Sequence, residues 1–317
     1  LKKSEEAETE KVDTSSNLDT DGNDEIADIT EKPEEDHADD LPEIVYAENP
    51  TRRLSDNIDA IARLKYIEAN YDEGYVPNES YDLPLFRRYA GWGGLSKVFD
   101  EDNHEFDMRR NQLKNLLTED EYKAARASTL NAHYTPQIVI DAMYKAIKEM
   151  DLPRNARILE PACGTGNFIT RLPASLSDAE VVGVELDSLT AKFAHYINNG
   201  NSNVSIINSA FENSGVEDNA YDLAIGNVPF GNYKLLDPDH TNDDWFIHDA
   251  FFRKALDKVA PGGVVAFITS TGTLDKKNPK IREYLAERSD LIGAIRLPNN
   301  TFDAAGTKTA SDIIFLQ

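Results

Sequence analysis

Two short segments of this chain carry residue types and spacings that could bind a ligand and act on it. The first covers residues 157–168 and reads Arg-Ile-Leu-Glu-Pro-Ala-Cys-Gly-Thr-Gly-Asn-Phe; the second covers residues 221–230 and reads Tyr-Asp-Leu-Ala-Ile-Gly-Asn-Val-Pro-Phe. Each begins with apolar residues typical of a buried strand and then turns at glycine or proline. Because ligands of open α/β sheets bind beyond the carboxyl ends of the strands, the two turns are candidates for one common site.

The glycine turn has features that suit an anion and a sugar. Gly164 and Gly166 allow the backbone to approach a ligand closely and to adopt positive φ angles, and the helix expected to follow them offers free N–H groups. Glu160 ends the strand before the turn. Glu185 closes the next predicted strand, about twenty residues after the glycines, and a carboxylate there can accept hydrogen bonds from both hydroxyls of a ribose. Asp187 is better explained as the N-cap of the helix that follows.

The elements that must position these residues follow from the hydrophobic pattern. After residue 130, short β-branched runs alternate with amphipathic stretches, which predicts a doubly wound α/β sheet with helices on both faces. The last two runs are joined without a helix, so we expect antiparallel neighbours there. The predicted strands are 158–159, 181–184, 204–207, 223–225, 264–268, 292–297 and 313–316, and the predicted helices are 136–150, 167–172, 189–198, 245–259 and 279–288. Apolar residues at three- and four-residue spacings predict a separate helical segment over residues 51–130.

Charge and cysteine content set further limits. Residues 1–50 hold 18 acidic and four basic side chains and carry −14 of the formal net charge of −24, which predicts a disordered acidic tail. Cys163 is the sole cysteine, which excludes a disulfide framework and a cysteine-rich metal site. Since the sequence has no apolar run of about 18 residues and no signal-peptide pattern, we expect a cytoplasmic protein without a membrane partner.

The order and separation of the two segments resemble motifs I and IV of the amino-methyltransferases. These enzymes transfer a methyl group from S-adenosylmethionine to an exocyclic amine, above all N6 of adenine in DNA. Residues 133–136, His-Tyr-Thr-Pro, resemble motif X, which closes over the methionine end of the cofactor. They also fit a helix start with Thr135 as the cap and Pro136 in the first turn, and both interpretations can hold together. His133 is expected to pack rather than to act as a base.

Later stretches extend the resemblance. Residues 247–256, 261–268 and 294–298 resemble the later motifs of the family in the order of its gamma class, whose target-recognition domain follows the catalytic one. Residues 88–94 and 129–136 resemble the methylase region of very large helicase–methylase proteins from phages and conjugative elements. The chain also starts at Leu1 rather than Met, so we expect it to be a segment of a longer polypeptide.

This resemblance implies a fold, a cofactor and a set of binding residues. The fold is the Rossmann-like methyltransferase sheet, with seven strands of which one is antiparallel, over residues 131–317. The cofactor is S-adenosylmethionine, with its carboxylate at the glycine turn, its ammonium group at Glu160, its ribose at Glu185 and its adenine under Phe211. Ser209 replaces the usual aspartate beside the adenine. The implied cofactor-binding residues are Tyr134, Thr135, Pro136, Glu160, Ala162, Gly164, Gly166, Phe168, Glu185, Ser209, Phe211 and Asn227.

The corner formed by residues 227–230 is implied to be catalytic. An aromatic amine is a poor nucleophile because its lone pair is delocalised into the ring. The Asn227 side-chain oxygen and the Val228 carbonyl can each accept one amine hydrogen, which directs the lone pair toward the sulfonium methyl. Pro229 stiffens the corner, and Phe230 stacks on the extruded base. The family usually has proline at the position of Val228.

The leading hypothesis is therefore N6-adenine methylation of DNA, by direct in-line transfer to a flipped base, as in restriction and modification. Two alternatives stay open. One is methylation of a glutamine side chain in a protein, which uses the same kind of corner. The other is a catalytically silent cofactor-binding module of a larger helicase or anti-restriction protein. The expected partners are DNA and further domains of the same polypeptide, namely target recognition and, by the second resemblance, a helicase.

Overall fold

The fold was established from a computed structural model that describes residues 41–44, 46–47, 49–72, 74–129, 134–235, 245–303 and 310–317. Most of the predicted acidic tail, together with His133, lies outside these residues. Within them, seven strands form one sheet. The strands are β1 (Arg157–Glu160), β2 (Glu180–Glu185), β3 (Val204–Asn208), β4 (Tyr221–Asn227), β5 (Val259–Ser270), β6 (Leu291–Arg296) and β7 (Ser311–Leu316).

The strand order is β3-β2-β1-β4-β5-β7-β6. The pairs among β1 to β5 are parallel, whereas β7 runs antiparallel to β5 and β6. This arrangement confirms the predicted doubly wound sheet with one reversed strand. The chain leaves β1 in one direction, toward β2 and β3, and returns on the other side of β1 with β4. The carboxyl ends of β1 and β4 therefore flank the point where strand order reverses, which is where such sheets bind ligands.

The described helices surround this sheet and precede it. They are α1 (Pro50–Asn70), α2 (Asp82–Phe86), α3 (Asp107–Leu116), α4 (Glu119–Ser128), α5 (Gln137–Lys148), α6 (Asn167–Thr170), α7 (Ser188–Asn198), α8 (Ile247–Lys258), α9 (Gly272–Asp275) and α10 (Lys280–Ala286). Among the parts of the chain that are described, no helix combines the length and the apolar character needed to cross a membrane.

Two helices differ from the sequence predictions, one in its N-terminal cap and one in its length, and one predicted N-cap is confirmed. α5 has Pro136 at its N-cap position and no side-chain cap, so the prediction that Thr135 caps this helix was wrong. α6 is a single turn rather than the longer helix predicted over 167–172. Asp187 caps α7 as predicted, since its carboxylate accepts a hydrogen bond from Thr190 N at 2.7 Å.

A hydrophobic cluster joins the helices before the sheet to α7. The apolar face of α1 is buried together with Leu189 and Phe193 of α7. The Tyr89 ring stacks on the Phe193 ring with 4.1 Å between centroids, and Phe86 meets the same ring edge-on at 5.4 Å. Because α7 follows β2 directly, this packing places the chain after Phe86 beside the carboxyl ends of the strands.

Candidate active site

A cavity of about 900 Å³ lies at the carboxyl ends of the strands. Thirteen of the fifteen residues predicted for the site line it. The two that do not are Pro136, at the start of α5, and Gly166, whose role is in the shape of the loop. The thirteen predicted residues that line the cavity are Tyr134, Thr135, Glu160, Ala162, Gly164, Phe168, Glu185, Ser209, Phe211, Asn227, Val228, Pro229 and Phe230.

Two glycines shape the loop after β1. Gly164 has a φ of +56° and Gly166 a φ of +81°, angles that residues with a Cβ rarely adopt. A Cβ built on Gly166 would lie 2.8 Å from Asn198 Nδ2, whereas one built on Gly164 would meet no described atom within 4 Å. Gly166 therefore keeps the loop close to α7, and Gly164 faces the open space of the cavity.

Glu185, at the end of β2, holds this loop from the other side. Its Oε2 accepts a hydrogen bond from Gly164 N at 2.9 Å, and its Oε1 accepts one from Asp187 N at 2.8 Å. Burial raises the pKa of Glu185 to about 7, although these backbone donors act in the opposite direction. The Glu185 carboxylate thus fixes the glycine turn, and the carboxylate itself gains or loses its charge near neutral pH.

Glu160, at the end of β1, is buried with an unsatisfied acceptor. Its side chain lines the cavity, and its Oε2 has no hydrogen-bond partner among the described residues. Burial first, and then the nearby charge of Glu185, raise the pKa of Glu160 well above its usual range. Leaving a buried acceptor without a donor costs free energy. A ligand that brings a cationic N–H group to this oxygen would remove that cost.

The Asn227–Phe230 corner continues directly from β4. Asn227 pairs with Ile268 of β5, and Val228 N donates a hydrogen bond to the Ile268 carbonyl at 3.2 Å. The Val228 side chain is buried in the apolar core. Proline at this position would lack the N–H group. Valine therefore fits where the resemblance expects proline because a backbone hydrogen bond to β5 holds the corner.

The loop after β3 supplies an apolar wall. The Phe211 ring is buried and lies 5.2 Å from the Phe251 ring, measured between centroids. Ser209 N donates to the Glu185 carbonyl at 3.0 Å, and Ser209 Oγ donates to the Ala210 carbonyl at 3.0 Å. The Ser209 hydroxyl is thus engaged with the backbone. Phe211 remains in position to cover a flat ring.

Cys163 lies in the glycine loop and is buried. Burial raises the pKa of its thiol well above the usual range, and the carboxylates of Glu160 and Glu185 raise it further. Since the thiolate is the reactive form of cysteine, this thiol is suited to packing rather than to nucleophilic attack.

Part of the wall was missed by sequence reasoning because it comes from the helices before the sheet. Gly91 and Trp92 line the cavity. Asn57 of α1, which is fully buried, holds this stretch by donating to the Gly91 carbonyl at 2.7 Å and accepting from Ala90 N at 3.0 Å. The glycine-rich run at residues 91–94 was a signal for a close approach of the backbone, but nothing in the sequence says what it approaches.

The first turn of α4 forms a second missed part of the wall. Thr118 and Glu121 form a capping box and line the cavity. Lys65 of α1 donates to Glu121 Oε1 at 2.6 Å and so ties α4 to α1. The Thr-x-x-Glu pattern predicts a helix start, but its place in the cavity depends on the packing of α1.

The walls of the cavity are acidic. The described lining residues include six carboxylates and neither lysine nor arginine. Such walls attract a cationic ligand and repel phosphate groups. A cofactor with a sulfonium, an ammonium group and a ribose, such as S-adenosylmethionine, fits this set of donors and acceptors. The lining carboxylates are Asp120, Glu121, Glu160, Glu185, Asp187 and Glu212.

A solved structure has the same fold. A candidate class I S-adenosylmethionine-dependent methyltransferase from Listeria monocytogenes superimposes with a TM-score of 0.52 and 18% sequence identity, over 84% of this chain and 88% of that chain. At this identity the likeness shows the fold alone, and it supports the sheet described above.

Two relatives have similar sequences. The Defense against restriction protein B of Escherichia phage P1 is 28% identical over 270 residues, which cover 80% of this chain and 11% of that protein. The type II methyltransferase M.CvrRI of Paramecium bursaria Chlorella virus XZ-6E is 24% identical over 233 residues, which cover 69% of this chain and 54% of that protein. The chain thus spans about a tenth and about half of the lengths of these relatives.

The match to a family model covers α4 and the whole sheet domain. The model of the N-6 DNA methylase family matches residues 117–317, which include both motif segments and all seven strands. This match confirms the family that the motifs of the sequence resemble. The chain belongs to the N-6 DNA methylase family.

Proposed function

We propose that this chain transfers a methyl group from S-adenosylmethionine to the N6 amine of adenine in DNA, directly and onto a base extruded from the duplex. One observation carries the proposal: the carboxylates of Glu160 and Glu185 and the Asn227–Phe230 corner line one cavity. The family of the chain favours DNA as the substrate. When bound, S-adenosylmethionine supplies an electrophilic methyl group on a sulfonium.

The residues at the ends of β1 and β2 would hold this cofactor. Glu160 Oε2, a buried acceptor without a described partner, suits the ammonium group. Each carboxylate oxygen of Glu185 accepts one backbone hydrogen bond and keeps further lone pairs for the ribose hydroxyls. Gly164 leaves room for the ligand to approach the backbone. Because Glu185 also fixes the glycine turn, one side chain positions two parts of the cofactor site.

The corner after β4 would activate the amine. The Asn227 side-chain oxygen and the Val228 carbonyl would each accept a hydrogen bond from one N–H group of the amine. These hydrogen bonds localise the lone pair on the nitrogen. Pairing of Asn227 with Ile268, and the hydrogen bond from Val228 N, fix the backbone that carries these acceptors to the sheet before the substrate binds. Acceptors fixed in advance need no reorganisation during the reaction. Phe230, half-buried on the cavity wall, offers a face for stacking on the base.

The product in DNA provides the direct test. In cells expressing the complete protein, we expect N6-methyladenine at a recurrent DNA sequence, and we expect it to disappear when Asn227 is replaced by alanine. Long-read sequencing of genomic DNA detects the modification. DNA without N6-methyladenine would contradict the proposal. Methylated glutamine in cellular proteins would then favour the protein substrate, and the lack of both products would favour a catalytically silent module.

The pKa of Glu185 predicts how cofactor binding depends on pH. Hydroxyl donors and cationic groups favour the ionised carboxylate, so affinity should fall as the pH drops below about 7. The expected loss approaches tenfold per pH unit, since one proton must then be released on binding. The raised pKa has the opposite effect on the folding stability of the free protein. The contribution of Glu185 to the free energy of unfolding is lost as the pH rises from 4.5 to about 7.

Calorimetric titration with S-adenosylhomocysteine across this pH range measures the effect. The Glu185→Gln variant, which does not titrate at this position, is the matched control. Glu160 is present in both proteins, and because the charge of Glu185 raises its pKa, the pKa of Glu160 should be lower in the variant. We therefore expect the loss of affinity below about pH 7 to be weaker in Glu185→Gln than in the wild type. Superimposable profiles would contradict the assignment of Glu185 to the binding site.

A further inference from the structure

A short segment upstream of α1 packs against the loop that follows β1. We call residues 41–44 and 46–47 the strap. Ile44 N donates a hydrogen bond to Gln137 Oε1, at the first residue of α5, at 2.9 Å. The carbonyls of Leu41 and Pro42 accept from Arg171 Nη1 at 3.1 and 3.2 Å. The strap is therefore tied to α5 and to the residue that follows α6, although its sequence lies within the acidic segment predicted to be disordered.

The donor that holds the strap is itself fixed. The Arg171 side chain is 1% exposed and forms two hydrogen bonds with the Asp141 carboxylate of α5, both at 2.9 Å. A buried guanidinium needs acceptors for its remaining N–H groups. The Leu41 and Pro42 carbonyls accept from this guanidinium, so Arg171 anchors the strap to α5.

Tyr46 brings the strap to the cavity. Its hydroxyl donates to Asn167 Oδ1 at 2.9 Å and lies 3.3 Å from Thr165 Oγ1. Its ring centroid is 3.9 Å from that of Tyr134. Tyr46 lines the cavity together with all three of these neighbours. Thr165 and Asn167 belong to the glycine turn, 119 and 121 residues further along the chain.

We propose that Tyr46 is a cofactor-binding residue and that the strap forms one wall of the cofactor site, beside the glycine turn. This inference rests on the proposed function, because it takes S-adenosylmethionine as the occupant of the cavity. The Tyr46 ring shields the end of the cavity beside the glycine turn from water, and the Tyr46 hydroxyl holds Thr165 and Asn167 in place. A loop ordered before binding loses less conformational entropy when the ligand arrives. The binding site thus begins upstream of the helical segment, outside residues 117–317 that the family model covers.

Calorimetric titration of the full chain with S-adenosylhomocysteine tests the assignment. We expect Tyr46→Ala to weaken binding about tenfold, because ring burial and loop ordering are both lost. Tyr46→Phe keeps the ring and should weaken binding only about two- to threefold, at the lower end of the effect of a neutral hydrogen bond. The control is Tyr81→Ala, since Tyr81 is 62% exposed and does not line the cavity; its affinity should equal that of the wild type.

Two outcomes separate this inference from the proposed function. A wild-type protein that does not bind S-adenosylhomocysteine would refute the cofactor and the inference with it. Wild-type binding together with unchanged affinity in Tyr46→Ala would overturn the inference alone.

Hydrogen–deuterium exchange of the wild type keeps the test valid if Tyr46→Ala does not fold. We expect amide exchange in residues 41–47 to slow when S-adenosylhomocysteine is added. A strap with a purely structural role would show the same exchange with and without the ligand, and that result would overturn the inference.

Discussion

Replacing Asn227 by alanine is expected to slow methyl transfer to adenine by about 10²–10³, while the cofactor stays bound. The substitution removes one of the two acceptors proposed for the amine and leaves the Val228 carbonyl in place. Backbone pairing between β4 and β5 does not depend on the Asn227 side chain, so the corner should keep its shape. Single-turnover transfer of labelled methyl groups to an adenine-containing duplex measures the rate, on the complete protein at saturating cofactor.

The matched control for this experiment is Phe230→Ala. This variant removes a surface for stacking, worth about 1–3 kcal/mol per base, and keeps both amine acceptors. We expect it to raise the DNA concentration needed for half-maximal rate more than it lowers the maximal rate. Transfer at the wild-type rate by Asn227→Ala would show that this corner is not the active site. Loss of cofactor binding in the same variant would show that Asn227 acts mainly on the cofactor.

Replacing Glu185 by alanine is expected to weaken cofactor binding by about 2–3 kcal/mol, roughly 30- to 150-fold. Two effects add up in this variant. The ribose loses a charged acceptor, and Gly164 N and Asp187 N lose the carboxylate that holds the glycine turn against the end of β2. Calorimetric titration with S-adenosylhomocysteine, at a pH above about 7 where Glu185 is ionised, measures the loss.

Glu212→Ala is the control for the charge of the cavity. Glu212 lines the same cavity and has no proposed contact with the cofactor, so its replacement should change affinity by less than about threefold, as expected for a partly exposed charge. Equal effects of the two substitutions would mean that the acidic wall acts as a whole and that Glu185 has no specific role. Unchanged affinity in Glu185→Ala would remove Glu185 from the site.

At the Asn227–Phe230 corner, the sequence could predict the position of the site but not the contacts that hold it. The sequence places Asn227 and Val228 at the end of a strand, and strand ends are where such sheets bind ligands. It does not reveal that Val228 N donates to Ile268, because that contact depends on the register between β4 and β5. The absence of proline at position 228 looks like a defect in the sequence, whereas in the fold it adds a hydrogen bond.

What the sequence by itself determined is the alternation of strands and helices, the reversed last strand, the glycine turn, and the carboxylates that end β1 and β2. Each of these is set by a local pattern: apolar periodicity, a missing helix between two strands, or glycines that tolerate positive φ. Parallel strands bring their carboxyl ends to one edge, so these patterns were enough to place Glu160, Gly164 and Glu185 in one cavity. The other predicted residues of the cavity followed from the family resemblance.

Only the tertiary structure decided which residues from before the sheet join the wall of the cavity. They include Tyr46 of the strap, Gly91 and Trp92, and residues in the first turn of α4. The sequence around these residues holds weak local signals, such as the apolar run Ile-Val-Tyr at residues 44–46 within an acidic segment. Their position depends on contacts such as those of Asn57 with Gly91 and of Tyr46 with Asn167. Such contacts join residues far apart in sequence, and they form because buried polar groups must find partners once the apolar faces have packed.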